Sequence, residues 1–227
     1  MDVAVVTGAG SGLGRHLAVG LAAAGAYVVA ADLDLAAASE TADEVKGLGV
    51  RCDVTDPADA ERLIAVAVET GGPHLLVNNA GGWTAGSQFP VAPASAWAHT
   101  LDLNLRAPMH LTQLALGPME RLGGGAVLNI ASSAGAETTP YGSPEYGAAK
   151  AGLIRFTTAL GDPARIGGTR VTCLVPGWIG LDRAHAELAA MSPTERAVAA
   201  PLIPPAQVVA AALDLLSSGA GGTVIEI

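Results

Sequence analysis

Short apolar runs recur along the chain, each followed by an alanine-rich stretch of helical length. DVAVV (residues 2–6) precedes 12–24, AYVVAA (26–31) precedes 35–48, GVRCDV (49–54) precedes 57–69, and HLLVNNA (74–80) precedes 94–122. AVLNIAS (126–132) is then followed by 145–160, RVTCLV (170–175) by a proline-rich stretch and a helix over 205–216, and GTVIEI (222–227) closes the series. Runs that are apolar at successive positions fit strands covered on both faces, and strands alternating with helices fit parallel pairing. The pattern therefore predicts an α/β architecture, with about seven parallel strands in one sheet, helices on both faces, and a single domain over residues 1–227. Gly25 is expected just past the first helix, where positive φ is favoured. Residues 191–205, MSPTERAVAAPLIPP, carry four prolines and read as a loop within a flap over residues 178–205. A connector without function is the alternative reading of that loop.

Composition narrows the function classes. Half of the 227 residues are hydrophobic, enough for a sizeable core without disulfides or metals. The 21 acidic residues exceed the 12 basic ones, for a net charge of −9, so nothing attracts a phosphate backbone and nucleic acid is excluded as a partner. Cys52 and Cys173 lack CxxC spacing, which suits a reducing compartment and a cytoplasmic location. No basic region precedes an apolar run at the start, and the longest nearly uncharged run, 17–31, is shorter than a bilayer needs, so neither secretion nor membrane insertion is expected. The five histidines show no HxxxH or HExxH pairing, and no metal site is expected.

Between the first strand and first helix lies TGAGSGLGR, residues 7–15. GxGxxG fails here, but GxxxGxG fits Gly8, Gly12 and Gly14. Such a turn lets backbone approach a pyrophosphate at a helix N-terminus, with Ser11 and Leu13 supplying the intervening contacts. Asp32, at the end of the second strand, is placed to accept both hydroxyls of an adenosine ribose and to repel a 2′-phosphate. The expected cofactor is therefore NAD, with NADP the less favoured alternative because Arg15 beside the turn offers a cation to a phosphate.

TGAGSGLG (7–14), CDV around Asp53, NNAG (78–81), Asn104 in DLNLRAP, NIASSAG (129–135), YGAAK (146–150) and PGW (176–178) together resemble the short-chain dehydrogenase/reductases, in that family's order and over nearly the whole chain. The resemblance implies a doubly wound Rossmann fold and an oxidoreductase that moves hydride between a nicotinamide cofactor and an alcohol or ketone. It assigns Asp53 to the adenine amino group with Val54 beside the ring, and Asn79, Ala80 and Gly81 to the cofactor cleft. Pro176, Gly177 and Ile179 would flank the nicotinamide. It also implies a homodimer or homotetramer, with the helices starting at Ala94 and Glu145 as contacts.

Tyr146 and Lys150 are four residues apart in a helical segment, so they share one face. A free phenol ionises near ~10, and an adjacent ammonium favours phenolate, whereas Tyr141 has Glu145 four residues on, which opposes it. Tyr146 is thus the expected acid/base. The resemblance gives Lys150 a second task on the nicotinamide ribose and gives Asn104 a place in a proton path to solvent. A buried side chain bonded to helix backbone is the plainer reading of Asn104.

The serine is a register question. Matching Asn129 and Gly135 to the family's N-I-x-S-x-x-G selects Ser132, whereas the usual separation of thirteen from the tyrosine selects Ser133. Ser132 is preferred, because a strand end fixes side-chain direction while a loop absorbs an extra residue. Neither serine sits in GxSxG or SxxK, which argues against a hydrolase.

The family's threonine after PGW is replaced by Leu181, and GTVIEI lacks the family's glycine-containing tail. Trp83, Trp178, Leu181 and Leu188 suggest an apolar pocket wall, hence an apolar or acyl-bearing secondary alcohol or ketone as substrate. An NADPH-dependent ketoreductase and a catalytically weak NAD-binding scaffold or sensor are the alternatives.

Overall fold

The computed structural model of the chain describes residues 1–83 and 86–227. Seven strands, all parallel, form one sheet in the order β3-β2-β1-β4-β5-β6-β7. They are β1 (Val3–Thr7), β2 (Tyr27–Asp32), β3 (Leu48–Arg51), β4 (Leu75–Asn78), β5 (Ala126–Ile130), β6 (Arg170–Val175) and β7 (Val224–Glu226). The expected sheet and Rossmann architecture are present. The chain winds outward from β1 to β3, then reverses and resumes at β4 on the other side of β1. That reversal parts the connecting helices above the C-terminal ends of β1 and β4 and leaves a crevice there.

The continuous apolar runs are explained by burial on both sides. Along β1 and β2, Ala4, Val6, Val28 and Ala30 pack under α1 (Gly12–Ala23) and α10 (Pro205–Ser218). Their neighbours Val3, Val5, Val29 and Ala31 face the layer of α3 (Pro57–Glu69) and α5 (Ala107–Arg121). All five residues of β1 and of β5 are buried. At ~25 cal/mol per Å² of apolar surface, both layers contribute to the stability that holds the crevice rigid.

Helix boundaries follow local chemistry. In α2 (Leu35–Val45), Asp34 caps the first turn through Ala36 N and Ala37 N, and Lys46 ends the helix in the left-handed region. Gly25 takes φ +96° just past α1, as expected. Three expectations need correction. The helix expected over 35–48 stops at Val45, because Leu48 already belongs to β3. The single helix expected over 94–122 is α4 (Ala94–Leu101), a wide π turn at Asp102–Arg106, and α5. The segment 191–205 is not all loop, since Ser192 and Glu195 form a reciprocal capping box that starts α9 (Pro193–Val198). Between β5 and α9 lie α6 (Ser133–Ala136), α7 (Pro144–Ala159) and α8 (Asp182–Ala190).

Candidate active site

The crevice is a cleft of about 1320 Å³, roomy enough for a dinucleotide and a small substrate. Its floor begins at the glycine turn. Gly14 admits no side chain, because a Cβ there would lie 1.9 Å from the Gly8 carbonyl oxygen. Gly12 has φ +52°, and a Cβ on it would meet only Leu181 at 3.7 Å, so its Cα faces open cleft. Ser11 precedes α1 in extended conformation without its side chain capping the helix, which leaves the first N–H groups of α1, including that of Leu13, for an anion.

The turn is fixed from outside by Thr7, in a role the sequence did not flag, and by Asn79. Thr7 Oγ1 accepts from Asn79 N (3.1 Å) and Ala80 N (3.0 Å) and donates to Val77 O (3.2 Å), tying β1 to β4. Asn79 Nδ2 donates to Thr7 O at 2.9 Å and Gly8 O at 3.3 Å. At the end of β2, Asp32 Oδ2 accepts from Gly10 N (2.8 Å) and Oδ1 from Asp34 N (3.1 Å), which holds the carboxylate against the cleft. Arg15 is committed elsewhere: Nε and Nη2 both donate to Glu44 Oε2, at 3.0 and 2.8 Å.

Asp53 and Val54 follow β3, with Val54 buried in the core and both lining the cleft. Asp53 Oδ1 accepts from Thr55 N (2.9 Å) and Oγ1 (2.7 Å), while its own N–H donates to Asp59 Oδ2 at 2.9 Å. Asp59 was also missed. It stands in the first turn of α3, where an acid is ordinary in sequence, but here it is buried, bonds Arg51 and Arg62, and sits below the usual carboxylate range chiefly through the Asp53 N–H.

Ser132, Tyr146 and Lys150 meet at the ends of β5 and α7, facing Gly81, Pro176, Gly177 and Ile179 across the cleft. Ser132 lines the cleft and accepts from Ala134 N at 3.3 Å as the cap of α6; Ser133 is not part of that wall, and its N–H is bonded to Pro176 O at 3.0 Å. Tyr146 is nine-tenths buried, whereas Tyr141, 6.1 Å away between ring centroids, is 45% exposed on its loop.

Electrostatics correct the charge argument for both tyrosines. Burial pushes the Tyr146 phenol up, the Ser132 hydroxyl opposes this, and nearby Tyr141 adds a smaller upward push. The ammonium is not among the groups that lower it. Lys150 Nζ lies 5.7 Å from the Tyr146 ring centroid, is itself 4% exposed, and donates to Ile130 O at 2.8 Å. Burial pushes Lys150 down to about 8, against a weaker pull upward from Cys173. Tyr141 is also pushed up by burial, and the charges it feels are those of Arg183 and Glu187 rather than Glu145. Position selects Tyr146, since it alone of the two sits buried beside Ser132 and Lys150.

Asn104 lies in the π turn and is fully buried. Its Nδ2 donates to Gly82 O (3.1 Å) and Thr100 O (3.0 Å), and its Oδ1 accepts from Gly82 N (2.9 Å). Both amide protons are thereby used on backbone, one in the helix at Thr100 and one in the loop at Gly82, and one lone pair of Oδ1 is left on the side of Gly81. Wide turns of this kind are commonly found at functional sites.

Trp83, Trp178 and Leu181 form cleft wall, and Leu188 does not. The flap expected over 178–205 contributes residues 178–184, Glu187 and Pro205 to the lining, and nothing from 191–204. Gly180 N and Trp178 O are pinned to Ile203 O and N, each at 2.8 Å. Among the described residues no cluster of three His, Cys, Asp or Glu side chains is placed to hold a metal, and no helix is long and apolar enough to cross a membrane.

Known proteins resemble the chain in sequence and in fold. The 7alpha-hydroxysteroid dehydrogenase of Escherichia coli strain K12 is 34% identical over 186 residues, 79% of this chain and 71% of that protein. The cyclohexanol dehydrogenase of Acinetobacter sp. strain SE19 is 34% identical over 183 residues, covering 78% and 72%. A solved 7alpha-hydroxysteroid dehydrogenase, complexed with NADH and 7-oxo glycochenodeoxycholic acid, superposes with a TM-score of 0.86 at 29% identity, covering 100% of this chain and 92% of that one. A short-chain dehydrogenase/reductase from Burkholderia xenovorans gives 0.87 at 34% identity, covering 100% and 94%. The family profile described as short chain dehydrogenase matches residues 2–192, and the chain belongs to that family of oxidoreductases.

Proposed function

We propose that this protein transfers hydride between NAD and a secondary alcohol or its ketone, and that the alcohol is apolar or acyl-bearing. The observation that carries the reading is the convergence of the glycine turn, Asp32, Ser132, Tyr146 and Lys150 on one cleft. The residues fit a dinucleotide: a turn whose Gly14 has no space for a Cβ, an uncapped helix start, and a ribose-side carboxylate held in place. Preference for NAD over NADP is supported by Asp32 at the cleft and by the Arg15–Glu44 pair, which removes the nearby cation.

A nicotinamide cofactor held here would supply hydride transfer to or from the carbon that bears the substrate oxygen. Gly8, Gly12 and Gly14 would admit the pyrophosphate, and the α1 N–H groups would bond it. Ser132 holds the substrate oxygen by a hydrogen bond, and Tyr146 takes the hydroxyl proton during oxidation or supplies it during reduction. Lys150, held by Ile130 O, would bond the nicotinamide ribose. The spare lone pair of Asn104 Oδ1 suits a water on the path from Lys150 to solvent. Residues 178–205 act as the substrate flap of a single domain, anchored by the Ile203 bonds.

Tyr146→Phe is expected to reduce turnover at least ~1000-fold with NAD affinity kept within a few fold, as removal of an acid/base group requires. Turnover within tenfold of the parent would sink the assignment. The two free, buried thiols support a cytoplasmic location. An apolar groove of about 670 Å³ beside α5 and α7, lined by Leu101, Leu105, Met109 and Phe156, supports a homodimer or homotetramer, which light scattering measures.

A further inference from the structure

The substrate end of the cleft holds one cation that the chemistry above does not use. Arg183 is in the first turn of α8, where the helix dipole disfavours a positive charge, so helix formation does not explain it. Its guanidinium lies over the Trp83 ring, 5.2 Å from the ring centre. Nε donates to Glu187 Oε1 at 2.7 Å. Of the five guanidinium N–H groups, the four on the terminal nitrogens have no partner among the described residues.

The ion pair with Glu187 is weak and exchangeable, because the two side chains are 61% and 45% exposed and the contact uses one N–H only. A carboxylate from outside could take the fork of the two terminal nitrogens, a geometry Glu187 does not use. Asp182 also lines the cleft beside Arg183, at the helix end where a carboxylate is favoured. Tyr141 is near both groups: it feels the Arg183 charge, and its ring is 6.1 Å from that of Tyr146. Trp83, Trp178 and Leu181 make the wall between apolar.

We propose that Arg183 is a specificity-determining residue that binds a substrate carboxylate, so that the substrate is a hydroxy acid or oxo acid with an apolar spacer between the carboxylate and the reacting carbon. This rests on the oxidoreductase reading for the reaction itself. Trp83 holds the guanidinium plane against the wall, and Glu187 is the internal counter-ion that an incoming carboxylate displaces.

The test uses octanoate and its neutral counterpart octanamide, titrated calorimetrically into the protein at saturating NAD. Octanoate is expected to bind better than octanamide, to weaken about 30-fold in Arg183→Gln, and to tighten several fold in Glu187→Gln, with octanamide indifferent to both changes. The opposite directions matter, since damage to the fold would weaken binding in both variants. Equal binding of acid and amide by the parent protein overturns the proposal, as does a Glu187→Gln that weakens octanoate. Turnover of straight-chain oxo acids and their methyl esters separates the two readings. Esters reduced as fast as acids leave the oxidoreductase standing and remove the anion anchor. Octanoate binding as expected, with neither acids nor esters reduced, leaves the anchor and removes the oxidoreductase.

Discussion

Lys150→Met isolates the thermodynamic cost of burying an ammonium in the proposed site. In the folded chain Lys150 ionises at about 8, against 10.5 for a free lysine, and it is 4% exposed, so solvent does not screen the difference. At ~1.4 kcal/mol per pH unit, this burial costs the folded state about 3 kcal/mol at neutral pH. Below pH 8 both folded and unfolded chains carry the proton and the whole penalty is present. Between about 8 and 10.5 the folded lysine has released a proton that the unfolded chain still holds, so stability rises with pH. Methionine has no proton to lose, and the Ile130 carbonyl that it leaves without Nζ is a cost independent of pH. The stability of the parent minus that of the variant should therefore increase by about 2 kcal/mol from about pH 7 to about pH 9.5. Urea denaturation of both proteins, followed by far-UV circular dichroism, measures it. A difference that is flat or falls with pH would refute the claim that the folded lysine is strained toward its neutral form.

The serine register is tested by pH–rate profiles. Ser132 is the group that favours the Tyr146 phenolate, so Ser132→Ala should lose ~100-fold in turnover and move the rising limb of alcohol oxidation to higher pH, whereas Ser133→Ala should do neither. The opposite pattern would reassign the role to Ser133. Asp32→Ala should narrow the preference for NAD over NADP by about tenfold, since one like-charge repulsion and two ribose hydrogen bonds are removed together. Titration of both cofactors by quenching of intrinsic fluorescence reads the ratio, and an unchanged ratio would free Asp32 of that role.

The sequence by itself determined the parallel sheet, because a strand covered on both faces reads as a nearly continuous apolar run, as β1 does except at Thr7 and β5 except at Asn129. It also determined the glycine turn, whose steric demand is local, and the pairing of Tyr146 with Lys150, which helical spacing places on one face. Tertiary structure decided what depends on residues distant in the chain. Arg15 was free on paper and is held by Glu44; Asn104, placed by resemblance in a proton path, sits in a π turn and clasps Gly82. The glycine turn is fastened by Thr7 and Asn79, and Asp53 by a carboxylate that in sequence is an ordinary helix-start acid. The charge states moved furthest: spacing predicted a phenol lowered by its lysine, but burial raises Tyr146 and lowers Lys150. Spacing fixes which side chains share a face, while burial and long-range hydrogen bonds set how easily each carries charge, and those appear only when the chain has closed around them.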